Sequence, residues 1–266
     1  MTTVVPDPPP GGPRLLALRA IRACAALLAL ALCGAAVPGG GHEPPPPGDR
    51  AAAAAARVRP GLETQLARVG LRFGAPVFLR VFKEENELEV WVDDGTRYVL
   101  FRRYPVCRWS GALGPKLAQG DGQAPEGFYR VGRGQLNPFS AYHLSFNLGY
   151  PNAYDRALGR TGDYLMVHGR CVSVGCYAMG DAAIEEIYTL VAAALAGGQP
   201  AVDVHAFPFR FDRRAEVGWA DHRWAPFWRE LREGHAAFER THRPPRVRVA
   251  GGRYVVDADP PPAGPS

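Results

Sequence analysis

Apolar residues change their spacing several times along the chain, and each change marks an element. Residues 77–82 and 87–92 are strand-length apolar blocks around a polar turn at 83–86, and 96–104 follows a second turn at Asp93-Asp94-Gly95. Together they predict an antiparallel meander. Another strand is expected over 128–131, after a glycine- and proline-containing loop from Gly114 to Gly127. Residues 142–155 alternate polar and apolar groups before an extended turn, and the apolar run 164–167 predicts a short buried strand ending at His168. The period then becomes helical. Ile184, Ile187, Tyr188, Val191 and Leu195 form one stripe stopping at Gly197-Gly198, with Asp181 as the expected N-cap ahead of an acidic first turn. Residues 202–207 predict a strand. Trp219, Trp224, Phe227, Trp228, Leu231 and Phe238 mark an aromatic helical segment read as packing, and a last strand over 246–256 turns at Gly251-Gly252.

The chain before this pattern is different in kind. Arg14, Arg19 and Arg22 precede an apolar run over 23–37 with small residues at Gly34-Ala35-Ala36, the layout of a signal peptide or an uncleaved N-terminal anchor. Leu32 is too bulky for a lipid-attachment site at Cys33. Residues 38–60, with Pro44 to Pro47 and six consecutive alanines, read as a low-complexity linker. Leu62, Leu66 and Val69 suggest a short helix opening the folded part. The expected layout is a main domain over 61–210, a helical and β extension packed on it over 211–256, and a disordered tail over 257–266.

Hydrophobic residues make up 47% of the chain, enough for a packed core, which excludes disorder throughout. The net charge is +5, from 31 basic and 26 acidic residues, too mild a balance to support nucleic-acid binding.

The chemistry is concentrated in residues 166–179, Met-Val-His-Gly-Arg-Cys-Val-Ser-Val-Gly-Cys-Tyr-Ala-Met. A thiol becomes a nucleophile when a neighbouring base takes its proton, and histidine titrates in the right range. Cys176 is therefore the candidate nucleophile and His168, eight positions earlier, the candidate base. The Gly169 carbonyl is placed to accept the other imidazole N–H and fix the tautomer. Gly175 removes bulk beside the thiol, so the Gly175 and Cys176 N–H groups are candidate oxyanion donors. His143, Asn147, Tyr150 and Ser173 are candidate substrate-binding residues, since polar and aromatic side chains together suit a peptide ligand. The alternative for 142–155 is a half-buried strand with a satisfied histidine.

Other readings compete for the same residues. With Cys24 and Cys33 in the N-terminal segment, Cys107, Cys171 and Cys176 remain. The catalytic reading leaves Cys176 free, with Cys107 and Cys171 paired or simply buried; a Cys171–Cys176 disulfide would abolish activity. A zinc site from His168, Cys171 and Cys176 with His143 or His205 matches no common ligand spacing. Papain-like peptidases place the cysteine before the histidine, opposite to this order.

His168-Gly169 followed by Ser173-Val174-Gly175-Cys176-Tyr177-Ala178-Met179 resembles the L,D-transpeptidase catalytic (YkuD) domain family, whose signature is His-Gly and then Ser/Thr-His-Gly-Cys with Arg or Asn soon after. The short loop and Cys-Tyr-Ala-Met ending resemble its YafK-like murein branch. Val174 and Ala178 depart from the second histidine and from the Arg or Asn. The resemblance extends over roughly residues 73–256. It implies an α+β fold, mainly antiparallel β, a sandwich with a helix after the catalytic cysteine, and a loop at 114–127 that shapes the site. It also implies an exported enzyme of the periplasm or cell envelope, acting on peptidoglycan stem peptides through a thioester, without metal or cofactor. A hydrolase cutting a wall-linked lipoprotein or a cross-link is the alternative, and a non-catalytic cell-wall binding module is the alternative of another class. Membrane contact is expected only through an uncleaved N-terminal segment.

Overall fold

The computed structural model describes residues 49–257, so the signal or anchor reading, the first part of the linker and nearly all of the tail lie outside the described residues. Strand β1 (Val77–Phe82) decides the architecture because all six of its residues are buried. Only a central strand covered on both faces has that pattern. It pairs antiparallel with β2 (Glu87–Asp93), which pairs with β3 (Tyr98–Pro105), giving the expected meander. On its other side β1 runs parallel to β9 (Val202–Phe207), which pairs antiparallel with β4 (Gly127–Val131). The sheet order is β3-β2-β1-β9-β4.

Its two faces bury different layers. Val77, Leu79 and Val81 pack with Leu62 and Leu66 of α1 (Arg50–Arg68) and with Ile184, Ile187 and Val191 of α3 (Asp181–Ala196). Phe78 and Phe82 face the other way, where Phe227, Trp228, Leu231 and Phe238 of α4 (Ala225–Thr241) cover them. A hairpin, β10 (Val247–Ala250) and β11 (Arg253–Val256), follows α4 and buries Tyr254 in the same aromatic cluster. A second, four-stranded sheet has the order β5 (Leu136–Asn137), β6 (Ser145–Asn147), β7 (Met166–His168), β8 (Tyr177–Ala178); its Phe146 and Val167 join the α1–α3 core. Helix α2 (Ala153–Ala157) is a single short turn. The fold is α+β with mainly antiparallel sheets, and no described helix is long and apolar enough to cross a membrane.

Three expectations are corrected and one alternative is narrowed. Residues 50–60 are not tether: they form the first half of α1, because alanine is the best helix former and Ala54 is fully buried. The alternative for 142–155, a half-buried strand, holds only for Ser145–Asn147, and His143 sits outside it at φ +70°. Strand β7 starts at Met166, since Tyr164 is 70% exposed with φ +53° and turns the chain instead. Finally, Gly180 rather than Asp181 caps α3, and the Asp181 carboxylate accepts the Arg170 N–H from the preceding loop.

Candidate active site

Strands β7 and β8 run parallel with Val167 opposite Tyr177 and His168 opposite Ala178. His168 ends one strand and Cys176 immediately precedes the other. The connecting loop is held from several directions. Cys171 is joined to Cys107 with a Cα–Cα distance of 5.4 Å, which settles the pairing and leaves Cys176 as the free thiol among the described residues. Strand β8 is further held by a bridge in which Arg108 and Ala178 exchange backbone hydrogen bonds of 3.1 and 2.8 Å. The proposed zinc set is not assembled, because Cys171 is in the disulfide and His205 lies on the α4 face of the large sheet.

His168 is 3% exposed, and its Nδ1 lies 2.6 Å from the Gly169 carbonyl. A carbonyl only accepts, so Nδ1 carries the proton and Nε2 keeps its lone pair. Burial pushes the histidine pKa down, against the opposing pull of that hydrogen bond, so the ring is neutral near pH 7. Tyr142 lies over it with ring centroids 4.8 Å apart. Gly169 has no room for a side chain: a Cβ would come within 2.7 Å of both the Asp181 carboxylate and the Tyr142 carbonyl.

The Cys176 Sγ accepts the Met166 N–H at 3.4 Å and lies 3.6 Å from the Tyr164 carbonyl. Burial raises its pKa, opposed by the Met166 N–H and the Lys116 ammonium. Both shifts favour the neutral forms, thiol and imidazole, over a thiolate and an imidazolium. No hydrogen bond joins them; Cys176 stands two positions before Ala178, the residue in register with His168.

Both candidate oxyanion donors have side-chain partners in the resting site. The Gly175 N–H donates to Ser110 Oγ at 2.6 Å and the Cys176 N–H to Ser173 Oγ at 3.0 Å, so both amides are already paired. Gly175 is instead required by its φ of +106°, with Leu165 only 3.2 Å from where a Cβ would stand. Ser173 also donates to the Cys176 carbonyl at 2.7 Å, closing the loop on itself. The other candidate binding residues are also engaged internally. Tyr150 is buried and donates to the Lys116 carbonyl at 3.2 Å, while Asn147 accepts the Gly149 N–H at 2.8 Å. His143 Nε2 lies 2.7 Å from Glu185, which Arg57 also binds. His143 lines an open crevice of about 260 Å³, shared with Arg50, Arg57 and Arg170.

Two arrangements beside the thiol have no counterpart in the sequence reading. Asp121 accepts the N–H groups of Ala118, Leu117 and Gln123 and binds Lys116. Burial alone would raise its carboxyl, but these partners bring it down to about 2 and lock the 114–127 loop. Behind that loop, Lys83 and Glu126 form a fully buried ion pair at 3.1 Å. Lys83 also donates to the carbonyls of Ala112 and Gly114, while Glu126 accepts the Gly114 N–H and the Trp228 indole N–H. Helix α4 is thereby coupled to the segment whose Ser110 holds Gly175. Lys83 has the sequence signature of a turn residue, and only the Asp121-Gly122 pair hinted at the tight turn opposite.

Comparison with known proteins gives a consistent set of matches. The family model for the L,D-transpeptidase catalytic domain (YkuD) matches residues 76–204. The "Putative L,D-transpeptidase YafK" of Escherichia coli (strain K12) is 48% identical over 186 residues, covering 69% of this chain and 74% of that protein. Among solved structures, a single-substitution variant of the helical cell shape determining protein Pgp2 from Campylobacter jejuni aligns with a TM-score of 0.42 and 22% identity. That alignment covers 66% of this chain and 63% of that one. Bd1075 of Bdellovibrio bacteriovorus aligns with a TM-score of 0.35 and 21% identity, over 63% and 61%.

Proposed function

Given that the chain belongs to the L,D-transpeptidase catalytic domain family, we propose that Cys176 forms a thioester with a peptidoglycan stem peptide and passes the acyl group to an amine. One observation carries this reading: the free thiol immediately precedes the strand paired with the one that His168 ends, and that buried histidine's Nε2 is left as a base by the Gly169 carbonyl. Substrate binding draws Sγ away from the Met166 N–H and the Tyr164 carbonyl and toward the imidazole. As Sγ attacks the peptide carbonyl, its proton passes to His168 Nε2, which then gives it to the departing amine. The incoming amine loses its proton to the same nitrogen and attacks the thioester, and Sγ leaves as a thiol. The proton moves during attack because burial favours the neutral form of both groups at rest.

Water in place of the amine makes the same site a hydrolase, able to open a cross-link or release a wall-linked lipoprotein. Residues 1–37 are read as the export signal or anchor that delivers the enzyme to the periplasm. Residues 61–210 are read as the catalytic domain and 211–256 as its extension; α1 adds residues 50–60 to the folded part. The test is incubation with a purified tetrapeptide muropeptide, with and without an added amine, read by mass. A product carrying the amine supports transfer, and a shortened peptide in both reactions supports hydrolysis. Unchanged muropeptide with full binding supports the non-catalytic module and overturns the proposal.

A further inference from the structure

On the α4 face of the large sheet, away from Cys176, the segment leaving α4 and strand β10 cross over β4 and β9 and enclose a cleft of about 700 Å³. That size suits a small ligand. Arg130, Arg243, Arg246 and Arg248 line it, against one carboxylate, that of Asp203. Asp203 is matched to Arg130 at 3.1 Å, and Arg248 to Asp257 at 3.4 Å. Among the described residues, the Arg243 guanidinium donates only to the Thr96 carbonyl and Arg246 makes no ion pair. The guanidiniums of Arg243 and Arg246 thus line the cleft without a carboxylate partner among the described residues.

The floor supplies an independent observation. His205 lines the cleft while being only 2% exposed, and its Nδ1 is buried with no hydrogen-bond partner. Buried polar atoms are nearly always paired, so the floor of the cleft holds an exception. The ring is wedged between Phe78 and Phe128, with centroids 4.7 and 4.6 Å away. Burial and the nearby Arg80 and His235 keep it neutral, with one nitrogen to donate and one to accept. Tyr98, Phe128, Pro244 and Pro245 form flat apolar walls.

We propose that this cleft binds an anionic saccharide, a sugar carrying carboxylate or phosphate groups. The acid group meets Arg243 and Arg246, whose planar forks match both kinds of anion. The sugar ring lies against the aromatic and proline walls, over the His205 ring in the floor. A free carboxylate alone would leave the walls and the floor unused.

The test is calorimetric titration of the full chain with digalacturonate, glucose 6-phosphate and the neutral disaccharide cellobiose, at low and high salt. Binding by either acidic sugar, weakened by salt, with none by cellobiose, is the expected result; which acid binds tells carboxylate from phosphate. In R243Q/R246Q, affinity should fall by about tenfold for each guanidinium lost, since hydrogen bonds to charged groups have that weight. The His205 imidazole resonances of the unaltered protein should shift on titration, a readout independent of whether the variant folds. Equal binding of cellobiose, no binding by either acid, unchanged affinity in the variant, or unmoved His205 resonances would each overturn the proposal.

Discussion

Lys83→Met tests how the far side of the molecule supports the loop beside Cys176. Lys83 and Glu126 are both fully buried, so removing the ammonium leaves a carboxylate that only the Gly114 N–H and the Trp228 indole still satisfy. Breaking a buried pair by removing one partner costs about 3–5 kcal/mol. At about 2–4 °C per kcal/mol for a domain of this size, Tm should fall by about 6–20 °C. Lys83→Met/Glu126→Gln leaves no buried charge, so its cost should fall short of the summed single costs by at least about 1 kcal/mol. Urea unfolding followed by tryptophan fluorescence gives all four corners of the cycle. A loss below about 1 kcal/mol in Lys83→Met, or strict additivity in the double variant, would refute the reasoning.

Further outcomes follow from the site. His168→Gln should lower turnover by about two to four powers of ten in muropeptide assays while leaving thermal unfolding nearly unchanged. Because burial lowers the His168 pKa, the base stays unprotonated below the ordinary histidine value of about 6.5, and the acid limb of kcat/KM should lie below that pH. Since the thiol is raised, iodoacetamide labelling of Cys176 should climb only above the ordinary thiol range; fast labelling at acidic pH would reveal a thiolate pair instead. Cys107→Ala/Cys171→Ala opens a link across 64 positions and should cost about 2–4 kcal/mol in urea unfolding. Gly169→Ala should inactivate the enzyme, because its Cβ meets backbone and carboxylate oxygens at 2.7 Å, and a fully active, folded variant would contradict that packing.

Much of the architecture was legible because short-range pattern decides it. Val77–Phe82 and Val202–Phe207 are strand-length runs rich in valine and phenylalanine and are strands with those bounds, and the 184–195 stripe is buried where helical spacing puts it. The Gly169 carbonyl meets His168 as one-residue separation allows. The misses lie where the partner is distant or two local rules compete. Nothing near Lys83 announces Glu126, 43 positions away, and nothing near Gly175 announces Ser110, 65 positions away, whose hydroxyl takes the amide expected to face an oxyanion. At 50–60 the alanine run resembles linker composition, but helix propensity and a buried Ala54 prevail. Asp181 has the residue type of an N-cap, yet tertiary placement gives its carboxylate to Arg170.

The central claim is that Cys176 carries the acyl group, and intact-mass measurement tests it most directly. Wild-type protein mixed with a tetrapeptide muropeptide and quenched in acid should gain the mass of one acyl group, mapped by peptide digestion to the fragment containing Cys176. Cys176→Ala should gain none and should turn over no substrate. An adduct on any other residue, or turnover by folded Cys176→Ala, would contradict the account.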